Sequence, residues 1–482
     1  MHKQKYAGLG IVLFLWATVM IVSGQEAASP DISSDRQEIE LLKKKIEEID
    51  QRVRVAERLK EIKDEETSSK AKAGVSLDAV AKKVDAVDGK LKSIGPFSFS
   101  GDLRLRHESL IGSGPVNGTE PPDRHRGRYR LRFNVTTKLN DEISGGFSLA
   151  SGDVGDPIST NNTETGFFTR KPFSVDRAFA TYHPKFFKPF SVTGGKFAYT
   201  WQRTELTFDN DINVEGSSQQ IIWDWKDRFL THFGVIGFEL PLFEASTGAD
   251  STIFGGQIQT GWNLLPRVRA IADVAYYDYR NPNSIAQNQT NGNGYATQGI
   301  STGQGGTFGF SAATLTNSFG LIAGARQFAS KFGILDTFFQ LDFDTGIKPF
   351  PLTTLFNFAQ NTRACGNVSA FVAAGVPISC NSRDRQGYWA EAQFGQTKQK
   401  GDLRFGYTFA RIEREAVVAA FVASDIRQPT NVAQHRIEAG YQAYSNVTLN
   451  FAWYIGRQLV TAQTPIEERW LNRLQFDFNY KF

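Results

Sequence analysis

The last nine residues, Leu474 to Phe482, read L-Q-F-D-F-N-Y-K-F. Leu474, Phe476, Phe478, Tyr480 and Phe482 are apolar or aromatic, and Gln475, Asp477, Asn479 and Lys481 are polar, so the period is two throughout. Side chains alternate across a β-strand, so this stretch makes a strand with one greasy face and one wet face. An edge strand of a soluble sandwich is the alternative, but an edge this aromatic is an aggregation hazard. A strand with lipid on one side and water on the other has no such difficulty.

Composition agrees. The 482 residues include 44 Gly, 39 Phe, 14 Tyr and 8 Trp but only 2 Met. A mean hydropathy of -0.33 is too polar for a bundle of membrane helices. It is compatible with a barrel, in which only the outward half of each strand is apolar. The net charge of +4 shrinks if Lys3 and Lys5 leave with a leader, and it implies no nucleic-acid partner.

At the amino end, Lys3 and Lys5 precede an apolar run from Leu9 to Val22 that closes on Ser23-Gly24-Gln25. That pattern predicts a signal peptide over residues 1–24. The run is shorter than the roughly 17 to 25 residues of a membrane-spanning helix. Next, Ile39, Leu42, Ile46, Ile49, Val53 and Ala56 form a narrow heptad seam, which breaks between Glu65 and Gly74 and resumes at Leu77, Val80, Val84, Val87 and Leu91. Residues 25–95 therefore predict an α-helical coiled coil. A single amphipathic helix on a membrane surface is the alternative.

Gly95-Pro96 ends the helical pattern, and period two begins at once with F-S-F-S-G-D-L-R-L-R-H from Phe97. Arg104 and Arg106 alternate with Leu103 and Leu105, and Arg128, Arg130 and Arg132 alternate with Tyr129, Leu131 and Phe133. An arginine at mid-depth against lipid costs about 2 to 4 kcal/mol, so this ladder must face a lumen. Residues 96–482 continue as strands joined alternately by short turns and long loops. Short turns are expected at Asn140-Asp141, Leu265-Pro266, Thr316-Asn317, Lys400-Gly401 and Asn446, among others, and long loops over 108–126, 152–172, 200–218, 280–305, 361–385, 413–432 and 458–469. The fold class is thus all-β: a transmembrane antiparallel β-barrel behind a coiled coil. Both barrel ends on one side require an even count, and about eighteen strands are expected, with Thr353 to Gln360 a weak one; sixteen is the alternative.

Several stretches resemble the putative porins of Gram-negative bacteria. They are G-D-L-R-L-R at 101–106, R-G-R-Y-R-L-R-F at 126–133, V-D-R-A-F at 175–179, D-N-D-I-N-V-E-G at 209–216, G-D-L-R-F-G-Y at 401–407, and 411–421 followed by Ser424-Asp425 and Thr430-Asn431-Val432. The resemblance implies an outer-membrane pore for small hydrophilic solutes or ions, surrounded by outer-membrane lipid, and the arginine-rich lumen predicts a modest anion preference at most. It also implies a homotrimer, a coiled coil in the periplasm, no cofactor, and recognition of the terminal Phe482 by the barrel-assembly machinery. In porins the third long loop commonly folds inward. Here that is Thr200 to Ser218, whose Glu205, Asp209, Asp211 and Glu215 outnumber Arg203. Those acids facing the arginine ladder would set a transverse field across a constriction, and Asp209→Ala with Asp211→Ala would shift selectivity towards anions.

Cys365 and Cys380 flank one loop, which resembles no family feature; in an exported chain they favour a disulfide over free thiols. No metal site is implied, because no histidine lies near either cysteine. A gated receptor needs a globular plug before the barrel, where the coiled-coil pattern lies. A barrel enzyme needs a nucleophile beside a histidine and an acid, and His107, His125, His183, His232 and His435 are scattered. No catalytic residue is assigned.

Overall fold

The computed structural model describes residues 97–164, 167–226, 228–245, 248–291 and 316–482. The expected signal peptide and coiled coil lie outside them. The sixteen barrel strands are β1 (Phe97–Ile111), β2 (Arg124–Lys138), β3 (Ile143–Ser151), β4 (Phe173–Tyr182), β5 (Phe190–Phe197), β6 (Val214–Asp224), β7 (Leu230–Phe243), β8 (Ser251–Leu265), β9 (Val268–Arg280), β10 (Phe332–Phe343), β11 (Leu352–Asn361), β12 (Gln386–Gly395), β13 (Leu403–Ile412), β14 (Val432–Tyr444), β15 (Val447–Gln458) and β16 (Leu471–Lys481). Each pairs antiparallel with its neighbours, and β1 pairs with both β2 and β16, so the sheet is closed. A seventeenth piece, Asn162–Thr163, only patches the edge of β2 where β3 has ended.

The strand count is sixteen, not eighteen. Thr353 to Gln360 is a full member, β11, so the surplus came from elsewhere. Phe319–Ile322 and Ala325–Phe328 have strand character but pair only with each other, as a hairpin that is not part of the barrel sheet. Thr316-Asn317 is accordingly not a barrel turn: the Asn317 side chain is buried and donates to the carbonyls of Arg414 and Val417. Residues 281–331 are one long connection.

The connections at the end holding Phe97 and Phe482 are all short, and those at the other end are long except 244–250, between β7 and β8. Alternation sorts the strands: Leu131, Phe339, Phe356, Phe405, Leu449 and Phe476 are exposed on the outside, while Arg106, Gln257, Asp273, Thr408, Gln434 and Gln475 are buried inside. The long-loop half of the lumen is partly filled by an apolar core from three connections, including Trp201, Leu206 and Phe208 from 198–213, Ile285 and Phe328 from 281–331, and Val417, Val418 and Phe421 from 413–431.

Cys365 and Cys380 are joined by a disulfide, Cα atoms 5.8 Å apart. Their loop carries the short helix Val368–Ala373, whose buried Phe371 lies so close to the hairpin that a Cβ on Gly320 would meet its ring at 2.7 Å. Closing a loop of this size stabilises by about 3 kcal/mol in the chain-entropy model. Thiol labelling of the unreduced, denatured protein should find no reactive cysteine, and labelling after reduction should find two. Two thiols before reduction would remove the bridge.

Candidate functional site

The connection between β5 and β6, residues 198–213, turns into the lumen. It is tied to the far wall by Thr207, whose hydroxyl donates to Asp336 on β10 (3.2 Å), and by Thr204, which donates to Asn357 on β11. It is tied to β8 by paired bonds between Gln202 and Gln257 (2.8 and 2.7 Å). Trp201 stacks on Phe238 at 4.1 Å, and Phe208 meets Tyr277 edge-on at 5.3 Å. Apolar burial and polar anchors therefore act together, so the segment is part of the wall rather than a free loop.

A second inward segment, 413–431 between β13 and β14, packs on the first. Asp209 N–H donates to the Phe421 carbonyl (2.6 Å), Ser424 N–H to the Asp209 carboxylate (2.6 Å), and Ala423 N–H to the Glu205 carbonyl (3.2 Å). The sequence shows 413–432 only as a long loop. Its uninterrupted apolar run, Ala416 to Ala423, was the available signal, since so greasy a stretch has no place in a solvated loop.

Beside these segments remains a cavity of about 410 Å³, bounded by the inner faces of β1 and β12 to β16 and by Arg203 to Asn210. Of the expected arginines Arg104 and Arg106 line it, Arg128, Arg130 and Arg132 do not, and four of the five are ion-paired. Asp102 binds Arg130 and Arg132 (2.7 Å each), with Asp211 at 3.7 and 3.9 Å. Arg106 bridges Asp477 (2.7 Å) and Asp425 (3.1 Å). Buried Glu108 receives Arg126, Arg473 (2.5 Å) and, at 3.9 Å, Arg128. Six arginines thus meet five carboxylates. Arg104 bonds Asn161 (2.5 Å) and has no carboxylate in ion-pair range among the described residues. On the facing side Arg436 holds Glu205 (2.9 Å), Glu438 (3.1 Å) and Glu391 (3.4 Å), while Arg203 and Arg404 balance them.

The expected acidic loop therefore divides. Glu205 reaches the cavity and Asp211 meets the ladder. Asp209 does not line the opening: its carboxylate is buried, capping Asp211 N–H and Ser424 N–H where the two segments join. Glu215 is not in the loop at all. It sits on β6, faces outward and pairs with Lys196 at 2.8 Å.

Burial raises the Asp209 carboxyl well above the ordinary range, with Glu205 and Asp211 adding to it. Burial also raises Asp425, but Arg473 and Arg106 outweigh it and hold that group well below the carboxylate range. A raised acid favours the folded arrangement as pH falls from its folded value towards its unfolded one near 4. Between pH 7 and pH 5 Asp425 should keep its charge and go on neutralising Arg106 and Arg473, so selectivity should hold steady. Reversal potentials in a salt gradient at the two pH values measure this, and a marked shift towards anions would contradict it.

On the outer wall the fold brings together two histidines that the sequence leaves apart: Ser109 Oγ lies 2.9 Å from His125 Nδ1 and 3.3 Å from His107 Nε2. Ser109 sits in register between β2 and β16, where the ladder takes up strand N–H groups, and no carboxylate bonds either ring among the described residues. Nothing there orients a base or receives an oxyanion.

A family model described as putative porin matches residues 105–482. No curated protein matches the chain. Among solved structures, the chain is similar to OprB of Pseudomonas putida (9% identity, 83% of this chain and 97% of that one, TM-score 0.47). It is similar to Salmonella typhi OmpF in complex with daunomycin (10% identity, 80% and 97%, TM-score 0.44) and to the outer membrane channel DcaP of Acinetobacter baumannii (14% identity, 80% and 97%, TM-score 0.39).

Proposed function

From the premise that this chain belongs to the putative porin family, we propose that its barrel is a water-filled outer-membrane channel for passive diffusion of small hydrophilic solutes or ions. The observation that carries the reading is the charged cavity left open beside the two inward segments. A lumen built only for stability would be filled, and one lined by ten charged side chains stays wet. Arg104, which lines the cavity with no carboxylate in ion-pair range among the described residues, supports a modest anion preference. The long loops face outwards from the cell and the short turns face the periplasm. Residues 1–24 direct export, residues 25–95 form the periplasmic coiled coil, three copies associate, and Phe482 is presented to the assembly machinery.

Planar-bilayer recording of the purified protein tests the reading. A large, stable, ohmic step is the expected result. Silence broken only by a ligand would support a gated receptor, and hydrolysis of lipid or peptide would support an enzyme.

A further inference from the structure

Where both inward segments meet the far wall there is a small internal space of about 10 Å³. One row of the inner wall there reads Glu391, Thr408, Arg436, Tyr454 from β12 to β15, and Thr408, Arg436 and Tyr454 line the space. Ala423 and Ile426 of the second inward segment and Glu205 of the first complete the lining on the lumen side.

Two polar groups in this lining are unpaired. Thr408 is buried, and its hydroxyl has no hydrogen-bond partner among the described residues. Arg436 reaches Glu205 (2.9 Å) and Glu391 (3.4 Å) through its terminal nitrogens. Its buried Nε–H has no acceptor among the described residues, because the Glu438 carboxylate, 3.1 Å from Nε, stands off the line of the N–H bond. Buried polar groups are satisfied by protein or by ordered water in nearly every case.

The space itself says which ligand fits. It has the volume of about one water-sized sphere, the least that holds a water and too little for a solute. Thr408 and Arg436 are directly opposite in the β13–β14 ladder, with Cβ atoms about 5 Å apart, and one molecule making two bonds of about 2.8 Å spans that gap. A cation is not called for. Glu205 already receives Arg436 and Asn210, Asp425 already receives Arg106 and Arg473, and a guanidinium forms part of the wall. Water can accept from Arg436 Nε–H, bond Thr408 Oγ, and give its remaining hydrogen to a carboxylate of the same lining.

We propose that one ordered water is bound here between Thr408 Oγ and Arg436 Nε, and that Thr408 acts through it as a positioning residue for Arg436. Arg436 gathers Glu205, Glu391 and Glu438 where they line the open cavity, and Glu205 belongs to the first inward segment. The water therefore ties the wall, the guanidinium and the two segments together at one point. Its effect on permeation rests on the cavity being the pathway of a channel; the site itself does not.

Crystals of the full-length protein, diffracting well enough to show ordered water, test the site. Density for one water within hydrogen-bond reach of both Thr408 Oγ and Arg436 Nε is expected. No density there, a metal ion, or a Thr408 hydroxyl turned onto a protein acceptor would overturn the inference. Thr408→Val keeps the shape and removes the hydroxyl, so the water should be lost, whereas Thr408→Ser should retain it. In planar bilayers Thr408→Val should then carry noisier open-channel current than the parent, and Thr408→Ser should match the parent. A Thr408→Val protein that keeps the water, or that is as quiet as the parent, would show that Thr408 does not position Arg436. A parent that never conducts would defeat the channel reading and leave the crystals to decide the site.

Discussion

Gly101→Val is expected to leave the chain without a closed barrel. Gly101 sits where the first strand meets the end of the last: its N–H donates to the Phe482 carbonyl (2.8 Å), and Phe482 N–H donates to its carbonyl (3.0 Å). A Cβ there would stand 2.5 Å from the Arg132 carbonyl oxygen on β2 and 2.5 Å from the Phe482 ring. A flexible side chain could yield, but the carbonyl belongs to a backbone fixed by the β1–β2 ladder, and β1 is held on both sides. Overpacking at a yielding site costs about 1 to 3 kcal/mol, and here the strain falls on the β1–β2 ladder at the strand that must also pair with β16 to close the barrel. The terminal aromatic ring lies over a glycine, an arrangement that pins register in β-structures. Gel migration before and after heating measures closure; a parental heat shift in Gly101→Val would defeat the argument. Phe482→Ala in the same background should not restore closure, because the Arg132 carbonyl remains.

What was legible in the sequence was whatever depends on neighbours along the chain. Period two marks β1, β2 and β16, and the arginines at 104, 106, 128, 130 and 132 face the lumen because the outward positions between them are apolar. The hairpin at Phe319 to Phe328 has the local chemistry of strands, and only its pairing shows that it does not belong to the barrel sheet. The balance of charge failed to show for a similar reason. Asp425 and Asp477 are 319 and 371 residues from Arg106 in the chain, so a run reading as pure arginine is half neutralised by groups that closure brings alongside. Glu215 was misplaced by a boundary: β6 begins at Val214, and from there alternation, not loop conformation, sets where a side chain points. Asp209 was misread because an acid in a loop looks solvated until a second loop is folded over it.

These corrections change which residue should govern selectivity, and Arg104→Glu is expected to turn a modest anion preference into a cation preference. Arg130 and Arg132 share Asp102 and Asp211, and Arg106 is held between Asp425 and Asp477, so each already has its field largely cancelled at short range. Arg104 has only the neutral Asn161, and it lines the same cavity. At an effective dielectric of 20 a unit charge acts on an ion 8 Å away by about 2 kcal/mol, and reversing its sign doubles the change before salt screens it. Arg104→Gln should move the reversal potential about half as far in the same direction. Asp209→Asn should leave selectivity near the parent's, because its carboxylate faces Ser424 and Asp211 N–H groups rather than the cavity. Neutralising Arg130 and Arg132 together should also favour cations by uncovering Asp102 and Asp211, but with noisier current, since Asp211 helps hold the inward segment through Thr160 (3.0 Å). A reversal potential in Arg104→Glu equal to the parent's at low salt would place the narrowest part of the pathway away from β1, on the side held by Arg436 and its three glutamates.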